Sequence, residues 1–394
     1  MVIQPKIVKN VCLTAHPSGC AAGVMQQIRW VQAQPKVPMP KRVLVIGASH
    51  GYGLASRIAA TFSGDANTIG VSYEREPSKK RTATPGWYNN RVFDQEARKA
   101  GYTSISIEGD AFSRETKEKT AAAVQEHLGA VDLVIYSLAS PVRVDPDTGE
   151  TYLSVIKPLK EPYTSLTVDV MTDAVSTVTI DPASEHEARS TVKVMGGEDW
   201  YLWIESLLKH GVLASGAKTV AFSYVGPELT YPIYRNGTIG MAKEDLERKA
   251  ALINERVGSL TGEAYVSVNK ALVTRASAVI PVVPLYISLL YRVMKDKGLH
   301  EGCIEQIYRL YADRLYTPGT SVPVDSEGRI RIDDYEMRED VQETVKQLWD
   351  KAAECSLSEI GDMEGYRTEY LQLHGFAQPG IDYGRESDPT AVDY

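Results

Sequence analysis

The chain has 394 residues, 43% of them hydrophobic, and sets 43 Lys and Arg against 51 Asp and Glu for a net charge of −8. That composition supplies a large core, and without a concentrated basic run it argues against nucleic acid as a partner. The longest largely apolar run, Ala278 to Leu290, is too short to span a bilayer and contains Pro281 and Pro284.

The start, Met1-Val2-Ile3-Gln4-Pro5-Lys6, lacks the apolar core of a signal peptide, so a soluble cytoplasmic protein without a membrane partner is expected. Four cysteines (Cys12, Cys20, Cys303 and Cys355) do not suggest a disulfide scaffold. Cys12, His16 and Cys20 have helix-like spacing, but Pro17 and Gly19 break that helix and no fourth ligand stands nearby, so no metal is expected. Residues 1–40 read as an N-terminal extension with a short helix from Val24 to Gln34, ended by Pro35, Pro38 and Pro40.

Val43-Leu44-Val45-Ile46 reads as a buried strand, followed by Gly47-Ala48-Ser49-His50-Gly51-Tyr52-Gly53 and a helix from Tyr52 to Phe62. Strand, glycine turn and helix make the first half of a dinucleotide-binding unit. The helix N-terminus offers N–H groups and a positive dipole end to a pyrophosphate. The spacing G-x-x-x-G-x-G is that of short-chain dehydrogenases/reductases. A second strand, Thr68 to Tyr73, ends at Glu74. An acid about twenty residues past the glycines can accept hydrogen bonds from ribose hydroxyls. Its charge would repel a 2′-phosphate and favour NADH over NADPH, although the adjacent Arg75 could receive that phosphate. Glu76 to Asn90 reads as a solvated loop, Asp94 to Ala100 as a helix and Thr103 to Ile107 as a strand. Asp110 then stands where it can bond the adenine amino group or cap a helix beginning near Ser113, and both readings remain open. Val131 to Tyr136 is a fourth strand, and the small residues in Ser137-Leu138-Ala139-Ser140-Pro141 would let backbone pass close to a ribose. Four successive β units predict a parallel, doubly wound α/β sheet that binds ligands outside the carboxyl ends of its strands.

Residues 143–190 read as an insertion with a turn and a small β-hairpin, and Lys193 to His210 as a helix around Trp200 and Trp203. Thr219 to Tyr224 is the fifth strand. Beyond it lie Tyr234 and Lys243. Short-chain reductases pair a Tyr that donates to the substrate oxygen with a Lys that holds the ribose and lowers the Tyr pKa. Here the two are nine apart, which puts them on opposite faces of one helix. If the two act together, Tyr234 must therefore precede the helix of Lys243, with a break at Asn236-Gly237 and Thr238 as its cap. Tyr265 to Val268 reads as a sixth strand, Asn269 to Ala276 as a loop, Ala278 to Met294 as an apolar helix beside the substrate, and Glu301 to Leu315 as an amphipathic helix. Arg329 to Asp333, an acidic helix from Asp340 to Ala353 and the tail from Gln378 read as peripheral.

Four segments together are distinctive: Gly47-Ala48-Ser49-His50-Gly51-Tyr52-Gly53, Ser137-Leu138-Ala139-Ser140-Pro141, Val194-Met195-Gly196-Gly197-Glu198-Asp199-Trp200, and Tyr234 with Lys243. With Ala15-His16-Pro17 and Gly86-Trp87-Tyr88-Asn89-Asn90, the chain resembles the trans-2-enoyl-CoA/enoyl-ACP reductase family of the FabV type over essentially its whole length. The resemblance implies one enlarged Rossmann-like catalytic domain over 1–394, with 278–394 as substrate-side and peripheral helices. It implies NADH-dependent reduction of the C2=C3 bond of a trans-2-enoyl thioester in fatty acid metabolism, on CoA or acyl carrier protein. By matching position, Gly47, Ala48, Ser49, His50, Gly51, Tyr52, Tyr73, Glu74, Asp110, Ala111, Leu138, Ala139, Lys243, Leu272, Val273 and Thr274 would contact NAD(H). Tyr224 would contact substrate, and Tyr234 would be the proton donor with Lys243 as its catalytic partner. His50 departs from the family pattern, which has Ser, Thr or Asn there, and could alter pH dependence. A monomer is expected. Two other readings use the same scaffold: a carbonyl (3-ketoacyl) reductase and a non-enzymatic dinucleotide sensor.

Overall fold

A computed structural model describes residues 1–8, 11–170, 172–275, 277 and 280–392. Seven parallel strands form the central sheet: β1 Arg42–Ile46, β2 Asn67–Ser72, β3 Ser104–Glu108, β4 Val131–Tyr136, β5 Leu213–Ser223, β6 Glu263–Val268 and β7 Arg329–Arg331. Their spatial order is β7-β6-β5-β4-β1-β2-β3. Val43 pairs with Thr68 of β2 on one side and Leu133 of β4 on the other. Val43 to Ile46 lose all contact with water, as an interior strand of a sheet covered on both faces must. The strand order reverses between β1 and β4, the crevice where such sheets bind ligands.

Among the described residues the longer helices are α1 Pro17–Gln32, α2 Gly51–Phe62, α3 Pro85–Lys99, α4 Arg114–His127, α5 Glu185–Met195, α6 Glu198–Lys209, α7 Thr238–Val257, α8 Val283–Asp296, α9 Cys303–Leu310, α10 Glu339–Lys351 and α11 Met363–Gln372. One face of the sheet packs on α1, α2, α3 and α9, through Val24, Ile58, Val92 and Ile307. The other packs on α4, α6 and α7, through Val124, Trp203 and Leu246. A third apolar cluster gathers α8, α10 and α11 around Leu285, Leu289, Val345 and Tyr366.

Several expectations need correction. The first helix starts at Pro17, not Val24: Pro17 opens the helix instead of breaking it, and His16 Nδ1 caps the Gly19 N–H at 3.3 Å. The supposed solvated loop 76–90 ends in α3, because Pro85 starts that helix and Trp87, Tyr88, Asn89 and Asn90 are buried. The insertion holds two hairpins, Val142–Val144 with Thr151–Leu153 and Tyr163–Val168 with Val175–Ile180. The helix placed at 193–210 is two helices, α5 and α6, separated at Gly196-Gly197. Thr238 is not a cap: it is the first residue of α7, and its hydroxyl donates to the Val155 carbonyl at 2.5 Å, tying the insertion down. The apolar helix starts at Val283; Ala278 and Val279 lie outside the described residues. Arg329–Arg331 is not peripheral but the seventh strand, paired with Val266–Val268.

Candidate active site at the carboxyl edge of the sheet

All seven strands run the same way, so the segments after them meet at one edge. After β1 the chain turns at Gly47, whose φ of +83° suits glycine, and where any Cβ would sit 2.3 Å from the Ser137 carbonyl oxygen. A Cβ on Gly53 would come within 1.9 Å of the Gly47 carbonyl oxygen, so α2 can lie against the turn only with glycine there. Among the described residues no side chain caps α2, so its N-terminal dipole end is left open. Ala48 is fully buried. Ser49 donates from Oγ to Glu74 Oε1 at 2.6 Å, and its carbonyl accepts from Asn89 Nδ2 at 3.0 Å.

Glu74 follows β2, as expected. Its Oε2 is buried and has no partner among the described residues, an acceptor that fits a ribose hydroxyl. Gly86 of α3 packs on this carboxylate: a Cβ there would reach Oε1 at 2.3 Å. The adjacent Tyr73 ring is 82% exposed, a free face for a flat base. His50 Nε2 lies 3.7 Å from Glu74 Oε1 and 3.4 Å from Arg275 Nη1. Burial, then the Arg275 charge, lowers the His50 pKa to about 3, so the imidazole is neutral. After β3, Asp110 Oδ1 accepts from the Phe112 N–H at 3.0 Å, while Ser113 Oγ caps α4 through Thr116 N–H. The capping alternative for Asp110 therefore falls away. Ala111 is buried, its carbonyl held by Lys117 Nζ at 2.8 Å and Trp203 Nε1 at 3.1 Å. Lys117 in turn pairs with Asp199 at 2.7 Å, which gives the Gly-Glu-Asp-Trp segment its place behind this loop. Leu138 and Ala139 follow β4 beside the glycine turn, Ala139 exposed and Leu138 half-buried.

The second half of the edge is aromatic. Tyr224 follows β5, and its ring meets that of Tyr234 edge-on, centroids 4.9 Å apart at 85°. Tyr234 lies before α7, as its spacing from Lys243 requires. Lys243 Nζ reaches the Phe222 carbonyl at 3.4 Å, and the Phe222 ring packs 5.6 Å from that of Tyr52 on α2. The Tyr–Lys region and the glycine turn thus share one wall. Burial lowers the Lys243 pKa to about 8, with Glu247 pulling the other way. Burial, then the Glu336 carboxylate, pushes Tyr234 well up; the lowering expected from Lys243 is not found. The hydroxyl therefore keeps its proton at neutral pH, the state of a donor. After β6, Leu272 and Val273 are buried; Val273 N–H donates to Tyr291 Oη at 3.1 Å and Thr274 N–H to Ser277 Oγ at 2.8 Å.

Sequence reasoning missed two buried charges here. Lys270 donates to the Ala271 carbonyl at 3.1 Å and lies 4.8 Å from the centre of the Tyr291 ring. Glu336, after β7, receives the Tyr224 hydroxyl at 3.0 Å. Burial raises the Glu336 pKa, and Lys270 and the Ala271 N–H oppose that rise. The available signal was β7 itself: a parallel seventh strand delivers whatever follows it to this edge.

A family model described as the trans-2-enoyl-CoA reductase catalytic region matches residues 81–316, and the NAD(P)H binding domain of trans-2-enoyl-CoA reductase matches 2–79. The chain is 56% identical over 383 residues to an enoyl-[acyl-carrier-protein] reductase [NADH] of Cytophaga hutchinsonii, covering 97% of this chain and 96% of that one. It is 55% identical over 388 residues to the protein of that name from Coxiella burnetii, covering 98% and 95%. A crystal structure of Treponema denticola trans-2-enoyl-CoA reductase in complex with NAD superposes with a TM-score of 0.94 at 50% identity, covering 98% of each chain. A third model, described as an enoyl reductase FAD binding domain, matches 324–386. The residues there do not fit a flavin dinucleotide. The only strand described in that segment, β7, leads into Asp333, Asp334 and Glu336, not a glycine turn, so acids stand where a pyrophosphate would lie. The apolar faces of α10 and α11 are already spent on α8. On the two matching reductase models and full-length identities above one half, the chain belongs to the trans-2-enoyl-CoA/enoyl-ACP reductase family.

Proposed function

We infer that this protein reduces the C2=C3 bond of a trans-2-enoyl thioester with NADH, working in the cytoplasm as a monomer with 1–394 as one catalytic domain. The observation that carries the reading is the Tyr224–Tyr234 pair at the end of β5, with Lys243 anchored on the same strand and the glycine turn packed beside it. The turn from Gly47 to Tyr52 would hold the diphosphate, Tyr73 and Glu74 the adenosine ribose and base, and Asp110-Ala111 the adenine edge. Leu138-Ala139, Lys243 and Leu272-Val273-Thr274 would surround the nicotinamide ribose and ring. When bound, NADH would supply the hydride for the β-carbon. Negative charge then develops on the thioester oxygen, and the Tyr234 hydroxyl stabilises it there, where such a contact is worth most. A proton taken up from solvent at the α-carbon completes the reduction. Tyr224 lines the substrate side. Glu74 would accept from the adenosine ribose hydroxyls, and its charge would repel a 2′-phosphate and so disfavour NADPH.

NADH oxidation with crotonyl-CoA, followed at the nicotinamide absorbance, tests the reading, with NADPH and a 3-ketoacyl thioester run in parallel. Enoyl turnover exceeding ketoacyl turnover, with NADH ahead of NADPH, is expected. Faster ketoacyl turnover would establish the carbonyl reductase instead, and NADH binding without turnover on short- or long-chain enoyl thioesters would establish a sensor.

A further inference from the structure

Beyond β7 the chain passes through Asp333-Asp334-Tyr335 and delivers Glu336 into the third apolar cluster, where none of its surface reaches water. A carboxylate is held in such a place only when donors saturate its oxygens. Three converge on it: the Tyr224 and Tyr286 hydroxyls reach Oε1 at 3.0 and 2.7 Å, and the Ala271 N–H reaches Oε2 at 2.7 Å. They come from the end of β5, from α8 and from the loop after β6, so one carboxylate ties together three walls of the site. A phenol has a single proton. That of Tyr224 points at Glu336, so its oxygen turns only lone pairs to the pocket. Tyr234 stands beside it, and among the described residues its hydroxyl makes no hydrogen bond.

We propose that Glu336 is a positioning residue that holds the proton of Tyr224 and so leaves Tyr234 as the phenol whose proton faces the substrate oxygen. The proposal rests on the donor role of Tyr234. It assigns the choice between two adjacent tyrosines to a carboxylate that touches neither substrate nor cofactor.

A Glu336→Gln variant reverses the polarity. The Ala271 N–H can only donate, so the amide oxygen must face it and the amide NH2 must face the two phenol oxygens. Tyr224 then accepts, and its own proton is released to the pocket. The test measures kcat with crotonyl-CoA and NADH for wild type, Glu336→Gln, Tyr234→Phe and the double variant, with NADH affinity by fluorescence as the check on folding. Tyr234→Phe alone should lose about 100-fold or more, the scale of a lost proton donor. The double variant should run about tenfold faster than Tyr234→Phe alone, a coupling that two independent lesions do not produce. Adding Tyr224→Phe should abolish that recovery. A double variant no faster than Tyr234→Phe would overturn the proposal. Tyr224→Phe in the native background carries the test without touching the buried carboxylate: its loss should be at least about tenfold smaller than that of Tyr234→Phe, and an equal loss overturns the proposal. Full kcat in Tyr234→Phe would overturn the donor role beneath it, a result distinct from the other two.

Discussion

Tyr234 keeps its proton because burial and the nearby Glu336 charge both oppose a phenolate. That is the state needed by a group that stabilises developing charge on oxygen. Replacing it with Phe should cut kcat by about 100-fold or more, while the dissociation constant for NADH stays within about twofold, because the ring that packs on Tyr224 is kept. Undiminished kcat would remove Tyr234 from the mechanism. Lys243 titrates in the opposite sense: its ammonium, depressed to about 8 by burial, is present below that pH and lost above it. NADH affinity should therefore weaken as pH rises through about 8, and Lys243→Arg should flatten that decline. A decline that survives in the Arg variant would point to Lys270, which burial lowers to about the same value. Without a ligand, burial and then the Arg275 charge hold His50 neutral, with a pKa of about 3. At this scale the glycine turn and Glu74 could be read from spacing, whereas Tyr234 and Lys243 were singled out by the family resemblance, since a Tyr and a Lys nine apart carry little signal of their own. Glu336 could be read from neither, because Asp333-Asp334-Tyr335-Glu336 has the composition of a solvated acidic turn and only folding buries it.

Among the elements, α3 departs furthest from its sequence reading. Trp87, Tyr88, Asn89 and Asn90 stand in a stretch otherwise full of Lys, Arg and Pro, and a window average makes that stretch a loop. In the fold, Pro85 opens the helix and its first turn roofs the glycine turn through Asn89 and Gly86. The same helix supplies Asp94, which accepts from the fully buried Arg57 of α2 at 3.0 Å and from Ser104 of β3 at 2.6 Å. Arg57 also donates to Thr68 of β2, to Ser106 and to the Ile105 carbonyl, so four elements lock through one guanidinium. Asp94→Ala would leave that charge unpaired in the interior. It should cost about 3–5 kcal/mol of unfolding free energy, read from the denaturant midpoint, and a loss under about 1 kcal/mol would show that the remaining acceptors suffice. Helix α7 makes a second case. The nine-residue gap between Tyr234 and Lys243 correctly placed a break before it, since 3.6 residues per turn forbids a shared face. Which residue ended the break was set by Val155, a partner 83 residues away that draws the Thr238 hydroxyl out of the capping role.

At the scale of the whole molecule, the C-terminal segment is built into the same edge of the sheet as the candidate site. Strand β7 extends the sheet, α10 and α11 cover α8, and the Pro389 carbonyl accepts from Tyr88 at 2.6 Å beneath α3. Calorimetry should therefore give one cooperative unfolding transition, raised as a unit by NADH, and a chain ending at Val322 should lose it. Two separable transitions would divide the chain into independent domains. Among the described residues no helix is long and apolar enough to cross a membrane. The sequence by itself determined six of the seven strands, their parallel arrangement and the glycine turn, because these rest on local signals: apolar runs, glycine positions and the acid after β2. Tertiary structure alone decided what closes the site. The partners of Glu336 lie 50, 65 and 112 residues from it in the chain, and no local period encodes a contact made only when three strand ends meet at one edge.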